Sequence, residues 1–435
     1  MRASLAPWSS SALVLAASLG LVPAAAAQAP TRADQWRALR EEKRRRLAPP
    51  RAGWLERTLL QIEKAERPAI TEINLFGFYP RPGAIGWGSK PALGVRYWQP
   101  DLGSSAFDVA GSAFFSLNEY YYFDVQAGLI PHIGRRVPPR SNKGEDVSDL
   151  AEISSYGLPR FDLYGAVRAR QLTEVDFYGL GAGSSPESLA TFLLRDSVYE
   201  AVGAFRPSPR VTFFGRGGYM KTETGPGRSG RFPSIDDLFD DDGAPGLLEE
   251  PDFAYASGSL LLDGRDRPGN PHRGAMLALT ARRFDDVDRD DFAFTRLEMD
   301  ARAFLPVFSP QRVLALRAQV TADDPDDGHR VPFYLQETLG GSHTLRGYPS
   351  FRFRAERLAL FQAEYRWEAA PAVELVLFWE GGAVRRADED WDLGDLATDW
   401  GAGLRLKTYQ DVIARFEVAW SDEATRVILR LNRSF

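Results

Sequence analysis

The feature that most constrains this 435-residue chain is a two-residue hydrophobic period whose polar face carries charges of both signs. In LALFQAEYRW (358–367), Phe361 and Trp367 share one face, whereas Glu364 and Arg366 share the other. Such alternation predicts β-strands with two different faces. It recurs in the segments 292–305, 373–382 and 411–420. A soluble β-sandwich has the same period, so alternation alone does not separate it from a membrane barrel, which turns its apolar face to lipid and its charged face to a water-filled lumen.

Strand number and connection length favour the barrel. We predict sixteen strands, an even number as in single-chain bacterial barrels. They are 91–99, 105–116, 120–130, 160–171, 175–183, 193–206, 210–222, 252–263, 273–284, 292–305, 311–322, 354–367, 372–385, 398–408, 411–421 and 425–435. Long connections (131–159, 223–251, 323–353 and 386–397) alternate with short turns such as LNE, LTE and RPSPR, as long external loops alternate with short periplasmic turns. The sequence therefore predicts an all-β fold, a 16-stranded antiparallel transmembrane β-barrel with a short N-terminal helical segment.

The two ends of the chain carry further signals. A positive charge, an apolar run and a small-residue stretch predict a cleaved signal peptide over 1–27, and hence export to the bacterial outer membrane. Residues 28–68 are charged and helix-prone, and 69–90 are predicted to be a linker into a barrel over 91–435. Four roles for these predicted helices stay open. They lie on a membrane surface, enter the barrel mouth, form a partner-binding arm, or pack on their own protein. The last residue, Phe435, is characteristic of barrels inserted by outer-membrane assembly machinery.

Composition argues against several kinds of site. The chain has no cysteine, which removes disulfides and thiolate chemistry, and its net charge of −6 argues against nucleic acid as a partner. Its four histidines are scattered without metal-binding spacing, and no G-x-S-x-G nucleophile elbow is present. We therefore predict no enzyme activity, no metal centre and no cofactor.

One acidic segment, SIDDLFDDDGAPGLLEE, leaves two interpretations open. Asp240, Asp242 and Glu249 stand at offsets like those of an EF-hand, but Leu238 occupies the first ligand position. A solvated external loop is favoured over a calcium site. Such a loop could also share divalent ions with lipopolysaccharide phosphates.

The segment GGSHTLRGYPSFRFR interrupts the alternation in the connection before the fifth strand from the end. It holds a leucine-arginine-glycine-tyrosine tetrad, Leu345 to Tyr348, after two glycines. With FQAEYR, LFWEGGAV and DGRDRPGNPHRGAML, the tetrad resembles the surface-antigen superfamily of outer-membrane barrels, which includes BamA, TamA and the two-partner-secretion transporters. The resemblance covers roughly residues 90–435 and implies that the tetrad lies on a sixth external loop folded back into the lumen.

The resemblance also implies partners for Arg346, with Gly347 and Tyr348 beside it in the tetrad. Phe378, Glu380 and Gly382 match the family's pattern of an aromatic, an acid and a glycine at alternate inward positions. A guanidinium in a narrow lumen needs a carboxylate, which it binds through two parallel hydrogen bonds, and Glu380 matches best. Glu364 is predicted to lie five residues nearer the turn, roughly 17 Å away, so that both acids do not contact the arginine.

Relatives that insert or secrete proteins carry POTRA domains, and the segment 28–90 is too short for one with a linker, so the chain resembles a barrel-only member. The expected function is a pore or conduit for protein or lipid insertion or translocation. The alternative is a non-transporting structural or interaction barrel, either alone or as a dimer in which the N-terminal helices are the contact arm. Expected partners are outer-membrane lipids and lipopolysaccharide, client proteins or a second copy, and the barrel-assembly machinery.

Overall fold

The computed structural model of the chain describes residues 36, 39, 42, 57, 58, 76–83, 85, 88–102, 106–131, 158–391, 394, 396–407 and 412–430. The predicted signal peptide, most of the predicted helical segment and Phe435 lie outside these residues. The chain divides into two compact units, Met1–Gly53 and Trp54–Phe435, and all the strands belong to the second. Among the described residues, no helix is long and apolar enough to cross a membrane.

The second unit is built on one antiparallel sheet of sixteen strands, which confirms the predicted fold class and strand number. Neighbours in the sheet follow chain order, except that β11 pairs with β14 because β12 and β13 form a hairpin of their own. The strands are β1 (Phe78–Gly83), β2 (Ala92–Gln99), β3 (Asp108–Ser116), β4 (Tyr121–Leu129), β5 (Phe161–Phe177), β6 (Ala190–Ser208), β7 (Val211–Pro226), β8 (Phe253–Asp263), β9 (Gly274–Asp286), β10 (Phe294–Val307), β11 (Ser309–Pro325), β12 (Glu337–Leu339), β13 (Phe353–Ala355), β14 (Arg357–Ala370), β15 (Val373–Arg385), β16 (Ala397–Lys407), β17 (Val412–Trp420) and β18 (Thr425–Arg430). A single helical turn, α1 (Ile235–Leu238), follows β7, and a 3-10 turn (Pro186–Ser188) follows β5.

The number sixteen agrees with the prediction, although two strands differ. β1 lies inside the segment 69–90, for which the sequence predicts a linker, because two prolines in FYPRPG make the segment look unlike a strand. The predicted strands 160–171 and 175–183 form a single strand, β5. The pairing of β5 with β6 shifts between Leu172 and Val175, so LTE is a bulge and not the predicted turn.

These two differences also move connections between the two ends of the sheet. The turn end carries the short connections 209–210, 308 and 371–372, and the loop end carries 227–252, 326–356 and 386–396. The β4–β5 connection, which contains the segment 131–159 predicted to be external, starts at the turn end. The short β3–β4 turn lies at the loop end, opposite to its predicted side.

The alternation places charged side chains on the buried inner face. On β14, Glu364 and Arg366 are buried, whereas Phe361 and Trp367 are 40% and 41% exposed. Inner-face arginines pair with carboxylates of the same or a neighbouring strand: Arg206–Asp162, Arg296–Asp323, Arg302–Asp300 and Arg317–Asp300. The inner face is therefore ionic and internally neutralised.

Candidate functional site

The candidate site is the connection between β11 and β14, residues 326–356, here called loop 6. Its β12–β13 hairpin leads to a tip, residues 340–352, which contacts the inner faces of β15 and β17. In that tip Leu345 and Tyr348 are buried, and both pack in one apolar cluster with Leu360 of β14. The predicted tetrad therefore lies against the inner wall of the sheet.

Two glycines shape the entry to the tip. Gly340 and Gly341 have φ of +110° and +94°, which side chains of L residues rarely adopt. A Cβ on Gly340 would lie 2.0 Å from the carbonyl oxygen of Pro349, so the two arms approach too closely for a larger residue. The Gly341 N–H donates to the Tyr348 carbonyl at 3.0 Å, which closes the turn that presents Arg346.

Arg346 is 1% exposed and meets carboxylates from three strands. Its backbone N–H donates to Glu380 Oε2 at 2.7 Å, and its Nε donates to Glu380 Oε1 at 2.8 Å. Its Nη1 lies 3.2 Å from Glu417 Oε2, and its Nη2 lies 2.9 Å from Glu364 Oε1. The Phe378 ring centroid is 3.6 Å from the guanidinium carbon, which adds a cation–π contact.

Glu364 and Glu417 also bind arginines of the wall, and the whole set is here called the Arg346 cluster. Its members are linked by ion pairs: Arg346, Arg366, Arg405, Arg415, Glu364, Glu374, Glu380 and Glu417. Ions removed from water are stable only when their partners restore the lost solvation. Without Arg346, the glutamates of the cluster outnumber its arginines, so the wall depends on the loop for its charge balance.

The predicted separation of roughly 17 Å between Glu364 and Glu380 was wrong, because both carboxylates contact the Arg346 guanidinium. The β14–β15 ladder pairs Gln362 with Glu380 and Glu364 with Phe378. The two glutamates therefore differ by two residues along the hairpin, about 7 Å at strand rise. The prediction placed them at unequal distances from the turn, whereas the ladder makes them near neighbours.

Two small residues allow the loop to approach the wall. The Gly347 N–H donates to Asp399 Oδ2 at 2.7 Å, and a Cβ on Gly347 would lie 2.7 Å from the Cβ of Asp399 and 2.9 Å from that of Ser421. On β15, a Cβ on Gly382 would lie 2.8 Å from Leu339 Cδ1 of β12. A side chain at Gly347 would therefore force the loop away from the strand, whereas one at Gly382 would be met by a shift of the Leu339 side chain.

Loop 6 also contacts the turn that joins β17 to β18. The Tyr348 hydroxyl donates to Asp422, and Arg352 pairs with Glu423 at 2.7 Å. From β18, Arg426 donates to the Tyr348 carbonyl. The loop thus ties the last hairpin of the sheet to the Arg346 cluster.

Glu417 and Asp399 were missed as contacts of the loop by the sequence prediction. Glu417 had a signal, because DVIARFEVAW places it on the same inward face as Arg415. For Asp399 the alternation pattern is short on one side, because it is the third residue of β16 (Ala397–Lys407). The sequence therefore gives little indication that its side chain faces inward. Which inward positions face one loop depends on the stagger between strands, and alternation within a strand does not reveal that stagger.

A second part of loop 6 forms an apolar core at the loop end of the sheet. The ring of Phe333 lies 5.2 Å from that of Phe177 and 4.8 Å from that of Phe192, measured between centroids. Ile235 and Leu247 from the β7–β8 connection join the same buried cluster. Loop 6, the β5–β6 hairpin and the β7–β8 connection therefore pack together at the loop end of the sheet.

The predicted acidic segment makes a structural contact. Asp241 and Glu249 pair with Arg330 of loop 6 at 3.0 and 3.2 Å, and Asp240 accepts a hydrogen bond from the Gly243 N–H at 3.0 Å. In the part of the chain that the structure describes, no group of three or more acidic or histidine side chains is arranged to hold a metal ion.

Residues 250–424, which span β8 to β17 and all of loop 6, match the family model of the Omp85 superfamily domain. No curated protein matches the chain.

Among solved structures, the chain is similar to BamA from Haemophilus ducreyi lacking POTRA domains 1–3, with 11% identity, a TM-score of 0.53, and coverage of 89% of this chain and 78% of that chain. It is also similar to CdiB from Escherichia coli, with 12% identity, a TM-score of 0.47, and coverage of 81% and 61%. CdiB from Acinetobacter baumannii shows 9% identity, a TM-score of 0.42, and coverage of 82% and 56%. At these identities the likeness shows the fold, and that conclusion rests on the BamA comparison.

Proposed function

The chain carries an Omp85 superfamily domain on a BamA-like sheet, and from this premise we propose that it is a gated outer-membrane conduit for inserting or translocating protein or lipid. The observation that carries the proposal is the burial of Arg346 among carboxylates of β14, β15 and β17. A buried ion network is stable only when it is complete, so loop 6 has one well-defined seated position. Its displacement is then a discrete opening step.

The outer face of the sheet supports a location in the membrane. Trp379, Trp400 and Trp420 stand in one row across β15, β16 and β17, and the rings of Trp400 and Trp420 stack at 4.8 Å. Aromatic girdles of this kind mark the interfaces of membrane barrels. We place the row at the outer-leaflet interface, with lipids and lipopolysaccharide as neighbours, and we assign residues 1–27 to export.

Opening needs two separations. The Arg346 cluster must exchange its internal ion pairs for water, and Phe333 must leave the aromatic core at the loop end. Water entering the lumen assists the first step, because the freed carboxylates and guanidinium regain solvation. A client in the lumen would assist both by occupying the volume that loop 6 leaves. The conduit is thus closed at rest and opened by its cargo.

A non-transporting structural barrel is the second candidate, and the aromatic core favours it. Phe177, Phe192 and Phe333 are each almost fully buried and bring no polar group into the loop end. Such a core is a barrier to ions as long as it stays packed. In this case loop 6 would be a permanent plug, and the N-terminal helices would serve as a contact arm, for example in a dimer.

Conductance in planar lipid bilayers tests the two candidates. For a gated conduit we expect rare openings of the wild type and a large increase in open time for Arg346→Ala, because the three glutamates lose their shared cation. Arg330→Ala is the matched control, since this loop 6 arginine lies outside the Arg346 cluster and its side chain is 41% exposed. A barrel that stays silent in all three forms would overturn the conduit and favour the structural role.

A further inference from the structure

The connection between β8 and β9, residues 264–273, lies at the turn end of the sheet and is here called the strap. Its residues Asn270, Pro271 and His272 are buried, although connections between strands usually lie at the surface. The His272 Nε2 atom lies 2.7 Å from Glu368 Oε1, on the inner face of β14. Strands β10 and β11 separate β9 from β14, so the strap folds inward and crosses the inner side of two strands.

Hydrogen bonds within its own hairpin brace the base of the strap. The Asp266 Oδ1 atom accepts the N–H groups of His272 and Arg273 at 3.0 and 3.3 Å, and the Asp266 N–H donates to the Arg273 carbonyl at 3.1 Å. Gly274 has φ of +106°, and a Cβ there would lie 2.3 Å from the Gly264 carbonyl oxygen. The two arms therefore approach closely and hold the strap in one inward position.

The inner side chains at the same end of the sheet are apolar. Leu261 of β8 and Met276 of β9 lie near the two ends of the strap, and Phe304 and Val313 lie on the neighbouring strands β10 and β11. All four are buried. A packed apolar layer is a barrier to ions, because it offers them no polar partner. The strap and this layer at the turn end therefore correspond to loop 6 and the Phe333 core at the loop end.

Both ring nitrogens of His272 face oxygen atoms that accept hydrogen bonds. The Nδ1 atom lies 3.0 Å from the Asn270 carbonyl oxygen, and Nε2 faces Glu368. The Lys407 ammonium of β16 contacts the same oxygen of Glu368, which favours the ionised carboxylate. A neutral imidazole has one N–H, whereas the imidazolium has two. Only the protonated ring therefore donates to both oxygens.

We propose that the strap is a second closure of the lumen, at the turn end, and that protonated His272 latches it to Glu368. Histidine side chains change their charge between about pH 5 and 8. The latch is complete on the acidic side of this range, and it loses one of its two donors as the pH rises. This inference rests on the proposed function in so far as the closure limits passage through the lumen.

The charged groups around His272 come from three elements. They are Asp266, Arg267 and Arg273 of the strap, Glu368 of β14 and Lys407 of β16. The two arginines are partly or fully exposed, so solvent screens their charges, whereas the contact between the ring and Glu368 is direct. Lys407 stays paired with Glu368 when the ring loses its proton. The deprotonated strap is then released without leaving the glutamate unpaired.

Cysteine labelling tests the latch, because the chain has no cysteine of its own. The full-length protein is folded into lipid nanodiscs, which leave both ends accessible, with one reporter and a charged maleimide. Asn270→Cys reports on the strap, since Asn270 is 1% exposed and its backbone carbonyl is kept. Arg210→Cys, in the exposed β6–β7 turn, corrects for the pH dependence of the thiol reaction. We expect the ratio of the two rates to rise about tenfold from about pH 5.5 to about pH 8, because a charged hydrogen bond is lost.

Two variants should remove this pH dependence. His272→Gln places an amide that does not titrate beside Glu368, so the ratio should be the same at both pH values. Glu368→Gln should act likewise, because its amide can donate to the neutral ring or accept from the charged one. His329→Gln is the matched control: this histidine lies in loop 6, with Nε2 2.7 Å from the Asp290 carbonyl oxygen, and its loss should leave the whole rise in place.

A ratio that does not change with pH in the otherwise unaltered protein, or a rise that persists in His272→Gln, would overturn the latch. Equal labelling of the two reporters at about pH 5.5 would overturn the closure itself. Conductance is a separate readout. A silent barrel with pH-dependent labelling of the strap contradicts the conduit alone, and a conducting barrel in which this labelling ignores pH contradicts the latch alone.

Discussion

The contact between loop 6 and the wall of β14–β17 is bonded in the opposite way to β1 and β18, the outer strands of the sheet, which no ladder joins among the described residues. The Arg346 guanidinium meets three carboxylates, and the backbone of the loop adds hydrogen bonds to Glu380 and Asp399. In the outer strand β1, Pro80 and Pro82 have no N–H to donate. The chain therefore concentrates redundant bonds in one region and omits ordinary bonds in another. A conformational change confined to the edges needs the rest of the wall to be fixed in this way.

The two regions are physically connected. Tyr348 and Arg352 of loop 6 bind Asp422 and Glu423 in the turn that leads into β18. The strongly bonded loop thus supports β18, an outer strand of the sheet. If loop 6 leaves its seat, β18 loses these contacts and its edge becomes more mobile. Variants that weaken one region and leave the other intact test this difference.

The largest effect is expected for Arg346→Ala. Removing one partner of a buried ion network leaves the others unpaired in a poorly solvating interior, so the free energy of unfolding should fall by about 3–5 kcal/mol. Denaturant unfolding in lipid vesicles, followed by tryptophan fluorescence, measures the loss.

The control for that experiment is Arg330→Ala, in the same loop. Its side chain is 41% exposed, and exposed ion pairs contribute only about 0–1 kcal/mol. Equal losses of the free energy of unfolding for the two variants would show that the buried Arg346 contributes no more than an exposed arginine. The Arg346 cluster would then not be the strongly bonded region of the sheet.

A smaller loss is expected for Gly347→Ala, which keeps all charges. The added Cβ meets the Cβ atoms of Asp399 and Ser421 at 2.7 and 2.9 Å, so the loop must shift, at about 1–3 kcal/mol for overpacking. Maleimide labelling of Thr344→Cys in the loop tip reports the shift as faster modification. Gly183→Ala is the control, since a Cβ at Gly183 meets nothing within 4 Å. Unchanged labelling of the tip in Gly347→Ala would contradict the tight seat.

The sequence predicts more of the wall than of the loop contacts. Alternation finds the inward side chains, such as Glu364 and Glu380, because a strand has a fixed period of two. It cannot find which of them meet, because that depends on register and stagger between strands. The predicted separation of roughly 17 Å between Glu364 and Glu380 was wrong for this reason. Glu417 was missed because its strand, β17, lies three positions from β14 in the sheet.

The strand count shows the same limit. Prolines hide β1 from a propensity argument, and a bulge at Leu172 makes β5 look like two strands. The two errors cancel in number but invert the side to which the β4–β5 connection belongs. Propensity rules applied to one segment at a time therefore miss a strand that contains prolines and divide a strand that contains a bulge.

The smallest effect is expected for Tyr348→Phe, and it tests the connection between the two regions most directly. The change removes the hydroxyl that donates to Asp422 but keeps the ring, which packs 5.2 Å from that of Phe353, so the free energy of unfolding should fall by about 0.5–1.5 kcal/mol. Tyr219→Phe is the control, because this exposed tyrosine donates to Asp252 and makes no contact with the β17–β18 turn among the hydrogen bonds of the described residues. If loop 6 supports the last hairpin, Tyr348→Phe should also speed maleimide labelling of a Val427→Cys reporter on β18, and Tyr219→Phe should not. A loss of stability without any change in this labelling would mean that the Arg346 cluster and β18 act independently.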